Sequence, residues 1–101
     1  MKRKEFDIFW DSLALAELDR ELHYLQKRSV DAPRIVTDGI LEKINTIKTD
    51  PYICEADRLK LKNDGTYRAF IVFRYRISYR ILKDAIHILR IRHTSREPFI
   101  H

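Results

Sequence analysis

The sequence predicts an α+β fold: an N-terminal strand, a helical hairpin, and then an antiparallel sheet with the helices on one of its faces. Apolar side chains alternate with a period of two at the start of the chain and again after residue 58, which indicates strands. Between these regions, two segments repeat apolar residues every three or four positions, as amphipathic helices do. The 101 residues, of which 45% are apolar and 35% charged, are expected to form a single domain over residues 1–101.

A short strand and two helices are predicted in the first half of the chain. The segment KEFDIFW alternates and indicates a strand, after which Asp11 is a candidate N-cap for a helix that extends to about Arg28. A second helix begins near Asp31, with Pro33 tolerated in its first turn, and ends at the TDP segment. Gly39 either permits close contact with a neighbouring element or marks a break, and both alternatives stay open. The predicted apolar stripes are Leu15, Leu18, Leu22 and Leu25 in the first helix and Val36, Ile40, Ile44 and Ile47 in the second.

Several strands separated by tight turns are predicted in the second half. RLKLK alternates and indicates a strand from Arg58 to Lys62, and the following Asn-Asp-Gly is a strong turn signal. The next 16 residues, YRAFIVFRYRISYRIL, have strand composition throughout. One straight strand of that length would span about 53 Å, whereas a domain of this size has a radius of gyration of about 13 Å. The run must therefore bend, and its change of phase predicts a turn at Val72–Arg74, with a second turn at Lys83 and Asp84.

Positive charge is concentrated in the second half of the chain. Residues 1–57 carry nine Lys/Arg and twelve Asp/Glu, whereas residues 58–101 carry eleven and three, so the charge balance changes from −3 to +8. Two helices with one apolar stripe each cover only one sheet face, so these cations are expected on the other. Such a face suits an anionic partner, although exposed arginines also solvate an open sheet. The predicted basic face consists of Lys60, Lys62, Arg68, Arg76, Arg80, Arg90 and Arg92.

One histidine adjoins this face. His93 follows the last predicted strand, between Arg92 and Thr94. A neutral His93 would act as a general base on a ribose 2′-hydroxyl, with nearby arginines stabilising the transition state. The alternative, which the sequence favours because it offers no second acid or base, is that His93 hydrogen-bonds the tail to the sheet.

No metal, cofactor or membrane segment is predicted. The four histidines lack the spacing of a metal site, phosphate-binding motifs are absent, and the single Cys54 excludes an internal disulfide. No apolar run approaches the roughly 18 residues that span a bilayer, and the basic N-terminus lacks the pattern of a signal peptide. A cytoplasmic protein without a cofactor is therefore expected.

Three short motifs follow one another in the second half of the chain. They are an arginine-led strand at Tyr67–Phe70, a Tyr-Arg-Ile-x-Tyr-Arg run at Tyr75–Arg80, and the ILRIRH run at Ile88–His93. Together with the N-terminal strand and the helical hairpin, this order resembles the RelE/ParE superfamily of bacterial toxins over nearly the whole chain. The resemblance implies the toxin of a type II toxin–antitoxin pair, which an acidic antitoxin neutralises.

The two branches of that superfamily imply different targets. In a RelE-like toxin, Arg68, Arg76 and His93 would form a metal-independent endoribonuclease site that cleaves mRNA on the ribosome, but Phe70 stands where that branch has a second basic residue. A ParE-like toxin inhibits DNA gyrase and lacks this set. The long paired helices, the ILRIRH run and Arg96 resemble that branch more, so a gyrase inhibitor is favoured over an mRNA endonuclease or an inactive nucleic-acid-binding relative. The binding surface is expected to include Lys60, Lys62, Arg80, Arg90, Arg92 and Arg96.

Overall fold

The computed structural model describes residues 4–95, which form two helices and a four-stranded sheet. The order of the strands in the sheet is β1-β4-β3-β2. The α+β fold predicted from the sequence is confirmed, but β1 pairs with β4 in parallel, so the sheet is mixed. The elements in chain order are β1 (Asp7–Trp10), α1 (Ser12–Gln26), α2 (Ala32–Thr49), β2 (Tyr67–Val72), β3 (Tyr75–Leu82) and β4 (Ala85–His93).

Both predicted tight turns are confirmed. Phe73 and Arg74 connect β2 to β3, and Lys83 and Asp84 connect β3 to β4. Phe73 has φ +56° and Lys83 has φ +52°. Two-residue hairpin turns need positive φ, which Gly and Asn supply most easily. Here the pairing of long strands on both sides of each turn imposes a positive φ on Phe73 and Lys83, although side chains of this kind rarely adopt it.

The predicted strand from Arg58 to Lys62 is wrong, because this segment belongs to a loop between α2 and β2. Lys62 has φ +53°, which interrupts an extended chain. The Asn63 side chain accepts hydrogen bonds from the Gly65 and Tyr67 N–H groups at 2.8 and 3.2 Å. Its amide also donates to the Tyr67 carbonyl at 2.8 Å. These bonds give the loop backbone an alternative to a strand ladder, so the Asn-Asp-Gly turn forms inside a loop and not in a hairpin.

The core lies between the helices and one face of the sheet. The second helix contributes the apolar stripe that the sequence predicts, Val36, Ile40, Ile44 and Ile47. The sheet contributes a matching set of fully buried side chains: Ile77, Tyr79, Ile86, Ile88 and Ile91. The Tyr79 hydroxyl donates to the Pro51 carbonyl at 2.7 Å, and burial raises the pKa of this phenol above its ordinary value. This bond ties the start of the loop to the core.

The buried face of α1 only partly coincides with the predicted one. Leu18 and Leu25 of the predicted stripe are half-buried and pack against the core, whereas Leu15 is 49% exposed. The fully buried residues of the helix are Ala14, Glu17 and Glu21. The helix is thus rotated toward its carboxylates relative to the leucine stripe. The reason is its position along the edge of β4, where Glu17 contacts arginine side chains.

Gly39 permits close contact between α2 and the end of β2. A Cβ atom at this position would lie 2.9 Å from Val72 Cγ1 and 3.1 Å from Phe73 Cε2. The first distance is shorter than real Cβ contacts, and Val72 is a stiff β-branched side chain packed against the core. The structure therefore decides between the two alternatives in favour of close packing.

We expect Gly39→Ala to destabilise the fold by about 1–2 kcal/mol, because the overpacking cost exceeds the ~1 kcal/mol gain in helix propensity. Urea unfolding monitored by circular dichroism measures the change. Asn45→Ala, at an exposed position of the same helix, is the control and should not destabilise. A Gly39→Ala protein as stable as the wild type would show that the contact with Val72 is not limiting.

Candidate partner-binding surface

The sheet face opposite the helices carries four of the seven predicted basic side chains. Directly paired residues of neighbouring strands share a face. Arg76 pairs with Arg92, and Arg80 pairs with His87. Arg90 pairs with Ser78, which alternation places on the same face as Arg76 and Arg80. These four arginines therefore lie on the same face of the sheet, as predicted, and we call this surface the arginine face.

The other three predicted members lie elsewhere. Arg68 pairs with Tyr79, which places it on the helix side of the sheet. Its guanidinium donates to the Gly65 and Cys54 carbonyls at 3.0 and 2.9 Å, so it holds the loop. Lys60 and Lys62 lie in the loop and not on a strand.

Lys60 nevertheless adjoins the arginine face through an aromatic ring. Its ammonium lies 4.8 Å from the ring centroid of Tyr67, and the Arg80 guanidinium lies 4.5 Å from the same centroid. Cations over aromatic rings are attracted by the ring quadrupole. Arg80 also lies 3.8 Å from Asp64, whose pKa is lowered from its ordinary value mainly by hydrogen bonds from Thr66 and further by Arg80.

Acidic residues of this same chain occupy most of the arginine face. Arg76 Nη2 lies 2.6 Å from Asp57 Oδ1. Arg90 forms a two-pronged pair with the Glu17 carboxylate at 3.0 and 2.8 Å, and Arg92 Nε lies 3.8 Å from Glu17 Oε2. Two carboxylates from the first half of the chain thus pair with three of the four arginines of this face. The face is less available to an outside anion than its composition suggests.

Glu17 also accepts a hydrogen bond from the backbone of β4, at the edge that β1 does not cover. The pairing of β1 with β4 ends where Trp10 meets Ile88, and α1 then runs beside β4. Beyond that point, the Ile91 N–H donates to Glu17 Oε1 at 3.0 Å. A side-chain carboxylate therefore satisfies a buried backbone donor that would otherwise need a strand.

Asp57 organises the loop in a similar way. It is 1% exposed, and its carboxylate accepts the Leu59 N–H at 3.0 Å as well as the Arg76 guanidinium. Its own N–H donates to the Tyr67 carbonyl at 2.8 Å. Asp57 thereby fixes the loop both to the outer edge of β2 and to the arginine face.

The three residues of the hypothetical nuclease set do not converge. Arg76 lies on the opposite sheet face from Arg68 and His93, because His93 pairs with Tyr75 and Arg68 pairs with Tyr79. Those two partners are four residues apart on β3, which corresponds to about 13 Å along a strand. A shared reaction centre for all three side chains is therefore not formed in this arrangement.

His93 contacts the chain that follows it. Its Nδ1 accepts the Ser95 N–H at 3.1 Å and lies 2.7 Å from Ser95 Oγ. An Nδ1 atom that accepts this bond is not available to take a proton from a substrate. The ring also meets Tyr75 edge-on, with centroids 5.3 Å apart. This geometry corresponds to the alternative in which His93 ties the tail to the sheet, while Arg96 lies outside the described residues.

A groove at the outer edge of β2 combines cations with exposed apolar side chains. It has a volume of about 350 Å³ and is lined by Lys43, Ile53, Glu55, Arg58, Ile71 and Arg76, among others. Sequence reasoning did not connect these residues, because they come from α2, the loop and two strands. It also missed Glu17, for which the only signal was the shared helical phase of Ala14, Glu17 and Glu21.

Other kinds of site have no counterpart in residues 4–95. Within this range, no group of three or more His, Cys, Asp or Glu side chains is placed to hold a metal ion. The same part of the chain contains no helix with the length and apolar character of a membrane span.

The fold and its charged face define the class of protein, a small α+β domain with helices on one face of a mixed sheet and arginines on the other. The family model of the ParE toxin of the type II toxin–antitoxin system parDE matches residues 8–98. The chain therefore belongs to the ParE toxin family. The predicted superfamily and the predicted role as a type II toxin are both confirmed by this match.

Two solved structures have the same fold. A chain of the chromosomal ParDE toxin–antitoxin system from P. aeruginosa has a TM-score of 0.64 and 18% identity, over 89% of this chain and 97% of that one. A chain of the RelBE2 toxin–antitoxin complex from Mycobacterium tuberculosis has a TM-score of 0.61 and 18% identity, over 91% and 94%. Comparison with curated protein sequences finds no match.

Proposed function

We propose that this toxin is neutralised by an acidic antitoxin in the cytoplasm and that its target there is DNA gyrase. The family match over residues 8–98 carries the proposal. The similar ParDE and RelBE2 structures are both toxin–antitoxin assemblies, which supports a protein partner of this kind. The excess of Lys and Arg in residues 58–101 supports the acidic character of that partner.

The geometry of the candidate residues supports inhibition by binding over RNA cleavage. A ribonuclease needs a base and a transition-state cation within reach of one phosphate. Arg76 is on the other sheet face from His93 and is paired with Asp57. His93 Nδ1 is engaged by Ser95.

Inducible expression in a bacterium tests the target. We expect filamentation, a DNA-damage response and trapped gyrase cleavage complexes, and we expect the purified protein to inhibit gyrase supercoiling. Rapid arrest of translation with mRNA cut inside codons would instead establish the endonuclease. Soluble, folded protein without any effect on growth would contradict both and leave an inactive relative.

Single substitutions sharpen this test. His93→Ala removes the candidate base, and Arg68→Ala removes a candidate cation on the same side of the sheet. For a gyrase inhibitor, we expect His93→Ala to retain most of its toxicity at equal amounts of soluble protein. A loss of toxicity together with a loss of mRNA cleavage would overturn the gyrase assignment. Circular dichroism of each variant controls for folding, which matters most for Arg68 because it holds the loop.

A further inference from the structure

Arginines without a carboxylate partner lie near the end of β4, away from the arginine face. Arg20 is an exposed residue of α1, Arg28 follows the end of that helix, and Arg74 belongs to the turn between β2 and β3. Within residues 4–95, none of these three arginines forms an ion pair. The arginine face differs, because Asp57 and Glu17 pair with its side chains. An anion from outside therefore meets less competition near the end of β4.

A cavity lies between α1 and the end of β4. It has a volume of about 290 Å³ and is lined by Arg20, Tyr24, His93 and Ser95. Pockets for small molecules have volumes of ~300–1,000 Å³, so the size of this cavity suits one small unit such as a nucleotide. Glu21 also lines the cavity but is 6% exposed, whereas Arg20 is exposed. The charge that a ligand meets is therefore mainly positive.

The side chains of the lining suit a phosphate group. The guanidinium of Arg20 presents parallel N–H donors, which match two phosphate oxygens. Ser95 is held beside His93, because its N–H donates to His93 Nδ1 at 3.1 Å and its Oγ lies 2.7 Å from the same atom. A hydroxyl proton rotates toward the acceptor that is present. Since the Ser95 N–H already satisfies Nδ1, the hydroxyl is free to donate to a phosphate oxygen.

An exposed aromatic ring lies between two of the arginines. Arg20, Tyr24 and Arg28 follow one another at intervals of four residues, which places them on one side of α1. Tyr24 is 53% exposed, and Arg28 Nη1 donates to its hydroxyl at 2.6 Å, which orients the ring. Proteins that bind single-stranded nucleic acids combine such rings, on which bases stack, with cations that contact the phosphates.

The dipole of α1 explains only one of these cations. Cations near the C-terminus of a helix are stabilised by its carbonyl groups, and the effect is limited to the last turn. This accounts for Arg28, because α1 ends at Gln26. Arg20 lies more than one turn before that end, and Arg74 lines an adjacent groove on the other side of His93. The charges of Arg20 and Arg74 are therefore left for a partner outside the described residues.

We propose that the cavity between α1 and the end of β4 binds one nucleotide unit, either free or within a single strand of nucleic acid. Arg20 and the Ser95 hydroxyl bind its phosphate, and its base stacks on Tyr24. Where the unit belongs to a strand, Arg28 and Arg74 contact the neighbouring phosphates. The proposal concerns binding without cleavage, and it rests on this geometry and not on the identity of the toxin's target.

Titrations followed by NMR test the site with three probes: an oligothymidylate of twelve nucleotides, adenosine monophosphate and inorganic phosphate. We expect the oligonucleotide to shift the signals of the Arg20 Nε–H and the Ser95 N–H. The same shifts with adenosine monophosphate would show that the site takes a free nucleotide, and shifts with the oligonucleotide alone would show that it takes a strand.

Three results of these titrations would overturn the proposal. The first is that none of the probes binds. The second is that inorganic phosphate binds as tightly as the other two probes, because the base would then contribute nothing. The third is that the shifts are confined to the arginine face, for example to Arg80 and Arg90.

Two substitutions and a matched control assign the roles of the side chains. We expect Arg20→Gln to weaken binding of the oligonucleotide at least about tenfold through loss of the phosphate contact. Tyr24→Leu should weaken it at least about fivefold, the lower end of what one base–aromatic stack contributes. Both side chains are exposed, so the variants are expected to fold.

Arg58→Gln is the control for net charge. Arg58 is exposed, lacks an ion pair within residues 4–95 and lines the groove at the opposite edge of the sheet. Its substitution removes the same charge as Arg20→Gln and should change the affinity by less than about twofold, because it lies outside the site. Equal losses for Arg20→Gln and Arg58→Gln would mean that binding depends on net charge alone and would contradict the proposed site.

Assays of gyrase supercoiling separate this proposal from the proposed function. If the wild type inhibits gyrase but binds none of the probes, the nucleotide site is wrong and the gyrase assignment stands. If the wild type binds the oligonucleotide at Arg20 and Ser95 but does not inhibit gyrase, the gyrase assignment fails and the nucleotide site stands.

Discussion

Asp57→Ala is expected to lower the free energy of unfolding by about 3–5 kcal/mol, because it leaves the Arg76 guanidinium partly buried without its carboxylate. Asp57 is 1% exposed and only 2.6 Å from Arg76 Nη2. The same substitution removes the acceptor of the Leu59 N–H. A loss of this size is a large part of the 5–15 kcal/mol that stabilises a typical domain. Urea unfolding at neutral pH measures it.

Two further variants assign the effect to the ion pair. Asp57→Ala combined with Arg76→Ala removes both charges and should recover part of the lost stability, because no buried charge is left unpaired. Asp64→Ala removes an aspartate of the same loop that is exposed and 3.8 Å from Arg80, and it should have a far smaller effect. The loss in free energy of unfolding of the double variant is compared with the losses of the single variants Asp57→Ala and Arg76→Ala. If the double variant loses the sum of the two single losses, the two residues act independently.

The part of the fold that the sequence predicts correctly is the part controlled by local periodicity. The stripe of Val36, Ile40, Ile44 and Ile47 identifies the buried side of α2 because no other element competes for it. The turn at Phe73 follows from chain length, since a 16-residue strand would exceed the size of the domain. Both predictions depend only on residues that are neighbours in the chain or on the overall dimensions of the domain.

What the sequence did not predict depends on partners distant in the chain. RLKLK alternates as a strand does, but the side chain of Asn63 and the carboxylate of Asp57 take up backbone donors and acceptors of this region. Likewise, the alternation of Arg76, Arg90 and Arg92 correctly placed them on one face. It could not reveal that Asp57 and Glu17 would neutralise them, because these carboxylates lie far away in sequence.

The relative positions of the candidate nuclease residues also depend on strand pairing and could not be predicted from the sequence. Arg68, Arg76 and His93 lie on three successive strands, and the register between these strands decides on which face of the sheet each side chain lies. The run containing Arg68 and Arg76 includes the hairpin turn, which changes the relation between position and face. Sequence spacing alone therefore suggested a cluster that the strand register separates.

Glu17→Ala is expected to have the second large effect, a loss of about 3 kcal/mol, since one carboxylate satisfies three groups. It pairs with Arg90 through two hydrogen bonds, lies near Arg92, and accepts the Ile91 N–H. Removal leaves a buried backbone donor unsatisfied, which by itself costs about 1–3 kcal/mol. Glu17→Gln keeps an acceptor for Ile91 but loses the charge, so it should retain more of the stability than Glu17→Ala.

Exchange of the Ile91 N–H distinguishes the two roles of this side chain. In Glu17→Gln the amide oxygen still accepts, so Ile91 should remain protected, whereas in Glu17→Ala its exchange should accelerate well beyond the change that global stability explains. Glu42→Ala is the matched control, because Glu42 is an exposed helical glutamate, and its effect should lie within about 0.5 kcal/mol of zero. If Glu17→Ala were as mild as Glu42→Ala, the carboxylate would not be what closes the edge of β4, and Arg90 and Arg92 would be available to an anionic partner without cost to the fold.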